Sequence, residues 1–348
     1  MAESVDKYFS SLYNIRRRLG EMTMILDLNK IKDITCGAVK IKEVDGYIEF
    51  DRMNDTQKEN QGELRAYKQR ARSTSGVRLA MITDSKKISF NYKFLPAAPY
   101  PAGFFDIYVD GSIISHQGSE DGDGGNVEAD LGCGKKKVEV YFPWARRAII
   151  ANLTLDDGAV VEPLKRRLKL LAYGDSITHG TLAMYPSLTY ICRLASMLDA
   201  DIVSSKGIGG DVFSDRIISA PDDLDPDIIT VAYGSNDWSR EDPQDVAKAI
   251  RRFFSLLRAA YPEAKIFAIT PIWRADFEKQ TQFSFGTDGM DGFIRENAKG
   301  IYDIIFINGW NMVPHLPEFF SDGFLHPNDL GHGIYAQNLY KEISKYLR

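Results

Sequence analysis

The spacing of apolar residues changes period at about residue 166, and that change confines the chain to two different architectures in series. On the carboxyl-terminal side, short apolar runs at residues 168–173, 201–205, 228–233, 265–270 and 304–308 alternate with helical stripes. Leu188, Ile191, Leu194, Ala195 and Leu198 form one stripe. Val246, Ala247, Ile250, Phe253, Phe254 and Leu257 form another, within a helix predicted over residues 244–260, and a last helix is predicted over 331–347. Strand and helix in alternation give a doubly wound parallel sheet, which binds ligands beyond the carboxyl ends of its strands.

On the amino-terminal side, residues 38–42, 47–50, 77–83, 88–94, 105–109, 137–142 and 148–155 are short runs rich in Val, Ile, Phe and Tyr, parted by Gly, Asp and Asn. Many short strands with turn chemistry between them make an antiparallel sandwich. Residues 117–125, with two Asp-Gly pairs, are expected to be a loop or hairpin end. The polar residues 54–74 are expected to be a long connection close to the second half. Ahead of these, Val5, Tyr8, Phe9, Leu12, Ile15 and Leu19 keep helical spacing, with Arg16, Arg17 and Arg18 at the negative end and Gly20 as a stop. The expected divisions are a helical segment over 1–24, an all-β sandwich over 25–165 and an α/β domain over 166–348. The first helix either packs on its own domain or docks on a second subunit, which leaves a homo-oligomer open.

Composition narrows the function classes. The chain is 44% hydrophobic and 26% charged, as globular proteins are, and its net charge of -5 offers no basic field to nucleic acid. No run approaches the roughly 20 apolar residues that cross a bilayer, and no secretory pattern opens the chain, so no membrane partner is expected. Cys36, Cys133 and Cys192 are widely spaced and odd in number, which argues against a disulfide framework or a zinc site and for a reducing cytoplasm.

The unusual polar and glycine clusters of the second half each follow a predicted strand. Gly174-Asp175-Ser176-Ile177-Thr178 follows the first, Gly207-Ile208-Gly209-Gly210-Asp211 the second, Gly234-Ser235-Asn236-Asp237 the third and His326-Pro327-Asn328 the fifth. A parallel sheet brings all of them to one rim. These residue types suit acyl transfer. A serine hydroxyl needs a base to take its proton, and a neutral imidazole titrates in the right range. A tetrahedral oxyanion needs donors fixed in advance. The Ser176 N–H, the Gly210 N–H and the Asn236 amide are the candidates, and glycine at 210 lets the backbone approach a ligand closely. Neither the P-loop lysine nor a Gly-x-Gly-x-x-Gly follows the first strand, so no nucleotide cofactor is expected, and no close set of His, Cys or carboxylates implies a metal.

With these residues in place, the chain resembles the SGNH (GDSL-type) hydrolases, whose letters stand for the Ser, Gly, Asn and His of four blocks, matched here by Ser176, Gly210, Asn236 and His326 over about residues 168–348. The resemblance implies a flavodoxin-like three-layer α/β/α domain and a serine esterase with Ser176 as nucleophile and His326 as base. The family's third triad member is an aspartate three residues before the histidine. Gly323 stands there, and Asp322 is four before. Either the loop bulges so that Asp322 reaches the imidazole, or a main-chain carbonyl orients it, as in some two-domain carbohydrate esterases; Asp322 is favoured because a carboxylate also stabilises the imidazolium. The first half resembles more loosely the jelly-roll-like sandwich of those esterases, in Gly76-Val77-Arg78-Leu79, Thr83-Asp84-Ser85 and Leu153-Thr154-Leu155-Asp156. A small-molecule ester, acetyl on a sugar in the implied case, is the expected partner, with no cofactor.

Blander readings stand beside these. Ser176 alone reads as a helix N-cap, and Asp175 and Asp237 as loop-holding residues. His332 is expected to be structural; His179 is either a substrate contact or a surface residue, and His116 and His315 carry no visible chemistry. Trp238, Trp273 and Arg274 lie at the predicted rim and either bind substrate or pack a loop. An acyltransferase using the same acyl-enzyme, and a carbohydrate-binding protein with relic residues, are the rival functions.

Overall fold

The computed structural model describes residues 23–62 and 65–347. The helix expected over residues 5–19 lies outside them. Thr23 and Met24, assigned above to that helical segment, instead begin a strand of the sandwich, β1 (Thr23–Ile25).

Two antiparallel six-stranded sheets form the first half. One runs β3 (Lys40–Val44), β4 (Tyr47–Asp51), β11 (Arg146–Asp156), β6 (Lys87–Pro96) and β9 (Gly124–Asp130), with β1 beside β11. The other runs β12 (Glu162–Pro163), β5 (Arg78–Thr83), β10 (Lys136–Tyr141), β7 (Gly103–Val109) and β8 (Ser112–Ser119), with β2 (Thr35–Cys36) beside β5. Period-two alternation explains the core: Ile88, Phe90, Tyr92 and Phe94 of β6 turn inward onto Phe105 of β7 and Val138 and Val140 of β10. Phe90 meets Phe105 edge-on with ring centroids 5.1 Å apart. Within residues 117–125 the expected loop is confined to 120–123. Residues 117–119 belong to β8 and 124–125 to β9, and because these strands pair in different sheets, the stretch crosses the sandwich and is no hairpin end.

The second half is a five-stranded parallel sheet in the order β14-β13-β15-β16-β17. The strands are β13 (Leu168–Gly174), β14 (Ala200–Gly207), β15 (Ile228–Ala232), β16 (Lys265–Ile269) and β17 (Ile304–Ile307). With the first strand inside and the second at an edge, this is the flavodoxin-like arrangement. Apolar residues line both faces of β13, as a parallel sheet covered on both sides requires. Leu170 and Ala172 face the helices Tyr190–Met197 and Asp329–Ile343. Leu171 and Tyr173 face Pro243–Ala260 and Met290–Asn297. The strands end level, Gly174 lying opposite both Gly207 and Ala232, so the segments that follow leave from one rim.

Arg52, at the start of the connection from β4 to β5, reaches the open edge of β14. Arg52, fully buried, donates from Nη1 to Ser205 O at 2.5 Å, from Nε to Ser73 O at 3.0 Å and from Nη2 to Arg70 O at 2.7 Å. Ser204 Oγ and Lys206 Nζ donate back to Arg52 O, at 2.6 and 2.8 Å. An edge strand presents unpaired backbone groups, and here one of them, Ser205 O, is met by a side chain of the other half.

Candidate active site

Ser176 opens a four-residue helix, Ser176–His179, directly after β13. Asp175, not Ser176, is its N-cap, with Oδ1 accepting the Ile177 N–H at 2.9 Å. That leaves the serine hydroxyl free to point across the rim, where Ser176 Oγ lies 2.8 Å from His326 Nε2. His326 Nδ1 lies 2.7 Å from Asp322 Oδ2. These three residues come together although 150 positions separate the serine from the histidine.

The extra residue between Asp322 and His326 is taken up by a tight loop. Gly323 sits at φ +66, a left-handed conformation that a side chain would strain. Ser321 N–H donates to His326 O at 2.8 Å, and Phe320 bridges to Pro327, which closes the loop at its base. Inside it, Asp322 Oδ1 accepts N–H bonds from Phe324, Leu325 and His326 at 3.0, 2.8 and 3.1 Å. Partial burial alone would raise this carboxyl. The bond from the His326 ring and the three backbone donors outweigh that and hold it well below the usual carboxylate range. The ionised Asp322 therefore fixes the proton of the neutral imidazole on Nδ1 and turns the lone pair of Nε2 toward Ser176.

Gly210 follows β14 at φ +85, again left-handed. Asn236 lies in the helix Ser235–Arg240 after β15, and its Nδ2 donates one hydrogen to Asp211 O at 2.9 Å, which ties the amide to the glycine loop and leaves a second hydrogen. Beneath them Asp175, Asp211 and Asp237 are buried. Burial is the main cause that pushes Asp175 up to about 6 and Asp237 up to about 7, with the neighbouring carboxylates adding to it; Asp211 is raised too, against the pull of its ion pair with Arg216.

Other histidines serve packing. His332 is buried with Nδ1 accepting the Tyr190 N–H at 3.2 Å, and burial, with the positive charge of Arg193, pushes it down to about 3. His179 is buried as well, so neither a substrate contact nor a surface position describes it. His116 pairs with Asp106, and His315 stacks on Trp273.

Trp238, Trp273 and Arg274 are buried, which favours the packing reading over substrate contact. Trp238 Nε1 donates to Phe285 O at 2.9 Å, and the Arg274 guanidinium covers its ring at 5.1 Å. Two positions after Asn236 on one helix, Trp238 points to the opposite side. Arg274 is engaged by Asp276 and by Ser235 O. A cavity of about 410 Å³ lies elsewhere, between Tyr100, Phe104 and Trp144 of the sandwich side and Leu182, Ala183 and Met184 of the α/β half. Leu182 O accepts from Ser321 Oγ at 3.0 Å, beside Asp322, which puts that cavity next to the triad loop. Sequence reasoning had no sign of these aromatic residues, which belong to loops and strand ends of the first half.

Residues 172–334 match the model of the GDSL-like lipase/acylhydrolase family. No curated protein matches the chain. Among solved structures it is similar to a salicylyl-acyltransferase from a tetracycline biosynthetic pathway, at 22% identity over 90% of this chain and 94% of that one, with a TM-score of 0.74. It is similar to a family two carbohydrate esterase from Cellvibrio japonicus, at 17% identity over 93% and 97% of the two chains, with a TM-score of 0.66. An acetyl xylan esterase from the rumen bacterium Butyrivibrio proteoclasticus aligns at 15% identity over 94% and 99%, with a TM-score of 0.62. At such identities the likeness is one of fold.

Proposed function

We propose, from the premise that residues 172–334 form a GDSL-like lipase/acylhydrolase domain, that this chain is a serine esterase acting on small acyl esters. The observation that carries the reading is the unbroken line of contacts from Asp322 through His326 to Ser176, at 2.7 and 2.8 Å. Ser176 Oγ attacks the ester carbonyl carbon while His326 Nε2 takes its proton. The carbonyl oxygen becomes an oxyanion that the Ser176 N–H, the Gly210 N–H and the Asn236 amide receive. Collapse expels the alcohol, which leaves with the proton from Nε2. Water, deprotonated by the same imidazole, then attacks the acyl-enzyme, and the acid departs as Ser176 recovers its proton.

The proposed seat of the alcohol is the cavity of about 410 Å³ beside the triad loop, a size that suits a sugar-like or other small molecule. Its aromatic wall and the fold shared with acetyl-removing carbohydrate esterases favour an acetylated sugar. The three cysteines are free, in keeping with a reducing cytoplasm as the site of action. A second reading, acyl transfer to an alcohol or amine, is favoured by the likeness to the salicylyl-acyltransferase; the same acyl-enzyme serves it, and only the acceptor differs.

Hydrolysis of p-nitrophenyl acetate, butyrate and octanoate by the wild type and by Ser176→Ala tests the reading. Turnover greatest on acetate and lost in the variant is expected. Product analysis with competing alcohols separates hydrolysis from transfer. A wild type inert to every ester, with Ser176 also unreactive to a fluorophosphonate, overturns both in favour of a binding protein.

A further inference from the structure

The backbone of Gly209, Gly210 and Asp211 is gripped at almost every polar atom. Gly209 N–H donates to His179 Nδ1 at 3.3 Å, and His179 Nε2 lies 2.8 Å from Ser73 Oγ. Burial, aided by the positive charges of Arg52 and Arg70, holds the His179 pKa well below its ordinary value, so the ring is neutral, accepting at Nδ1 and donating at Nε2. Gly209 O accepts from Arg70 Nη1 at 2.5 Å. Gly210 O accepts from Tyr67 OH at 2.7 Å and from Arg240 Nη2 at 2.5 Å. Asp211 N–H donates to Ile208 O at 3.0 Å. Among the described residues, only the Gly210 N–H of this stretch is given to no acceptor.

Gly209 O and Gly210 N–H are the two ends of one peptide unit. A guanidinium bonded to that oxygen draws electron density toward it, strengthens the amide resonance and makes the N–H at the other end a better donor, the cooperative effect seen along hydrogen-bonded chains. It also fixes the plane of the unit, and hence the direction of the N–H. Tyr67 and Arg240 fix the following unit by its oxygen. Tyr67 and Arg70 come from the helix Arg65–Arg70 of the amino-terminal half, and Arg52 holds that helix by Arg70 O.

We propose that Arg70 and Tyr67 are positioning residues for the acyl chemistry at Ser176: held by the sandwich side of the molecule, Arg70 aims and polarises the Gly209–Gly210 peptide so that its N–H stabilises the oxyanion, and Tyr67 pins the Gly210–Asp211 unit that follows. The inference rests on the esterase reading, and its test separates the two. In the full chain, Arg70→Gln, Arg70→Lys and Tyr67→Phe are assayed for kcat and KM on p-nitrophenyl acetate and for the rate at which a fluorophosphonate labels Ser176, whose phosphoryl oxygen also enters the oxyanion site. Arg70→Gln should lose about tenfold or more in kcat and in labelling rate with KM little changed, a fraction of the roughly hundred- to thousandfold that loss of a whole oxyanion donor costs. Arg70→Lys should recover part of it, since the cation returns, and Tyr67→Phe should fall by less than Arg70→Gln. Thermal midpoints of all three identify any variant that has merely lost its fold, in which case Tyr67→Phe and Arg70→Lys carry the decision. A Ser176-dependent wild type whose folded variants keep full kcat and labelling rate overturns this inference alone. A wild type with neither activity nor labelling overturns the esterase reading beneath it.

Discussion

On one side of the rim, Ser176, His326 and Asp322 hold one another through side-chain contacts, and all three come from the carboxyl-terminal half. On the other side, Gly209 and Gly210 contribute backbone, and that backbone is held by Tyr67 and Arg70 from the amino-terminal half as well as by His179 and Arg240 from their own. The difference lies in what each side has to do. A nucleophile and its base exchange a proton and need only a line of contacts that one loop and one helix can supply. An oxyanion donor must stay still while charge develops, and a glycine loop at positive φ has no side chain of its own with which to be fixed.

Substitutions on the two sides should therefore differ in size and in kind. Among these substitutions the largest expected effect is on the proposed nucleophile side: Asp322→Ala, which removes both the imidazole's partner and the acceptor of three N–H groups, should lower kcat by about 10³ to 10⁴ in steady-state assays. Near-full turnover would instead give the orienting role to a main-chain carbonyl. On the oxyanion side, Asn236→Ala removes one donor of three and should cost on the order of a hundredfold or more in kcat with KM nearly constant. A loss of only a few fold would mean that the braced glycine backbone carries the oxyanion without the amide.

The smallest effect concerns the buried carboxyls under the oxyanion loop. An unfolded aspartate titrates near about 3.9. Asp237, pushed up to about 7 chiefly by burial, favours its neutral form in the folded chain. Its contribution is complete below about pH 4 and is lost as pH rises through about 7. Asp237→Asn keeps an acceptor for the Phe213 N–H, which Asp237 Oδ1 takes at 2.9 Å. Thermal unfolding followed from about pH 4 to pH 8 should show the variant losing less of its midpoint than the wild type, by a few degrees. Parallel curves for the two would place the titration elsewhere.

The turn that carries Ser176 was legible in the sequence because its information is local. Strand, turn and serine sit together at Gly174-Asp175-Ser176, and the continuous apolar run of β13 fixes where the turn begins. The alternation of β6 was readable for the same reason. β8 was not, because Ile113 and Ile114 are adjacent and both exposed, so the strand carries no apolar period. Trp238 was placed at the rim by its neighbours in sequence, whereas the helix turns it inward. The brace on the glycine loop left no trace at all: a backbone carbonyl accepts from any donor that reaches it, so Tyr67 and Arg70 follow no motif, and only the polar character of residues 54–74 hinted at a connection near the second half.

The buried Arg52 bears on how this molecule comes into being. Every strand of the sandwich is complete by Pro163, before the parallel sheet begins at Leu168, so a ribosome delivers a finished first half and its waiting guanidinium ahead of β14. The edge of the second sheet is then born against a template. A chain begun at residue 166 would have to fold with that edge bare and with Lys206 stripped of Arg52 O and Gln57 Oε1, two of its acceptors, and should aggregate more than the intact chain.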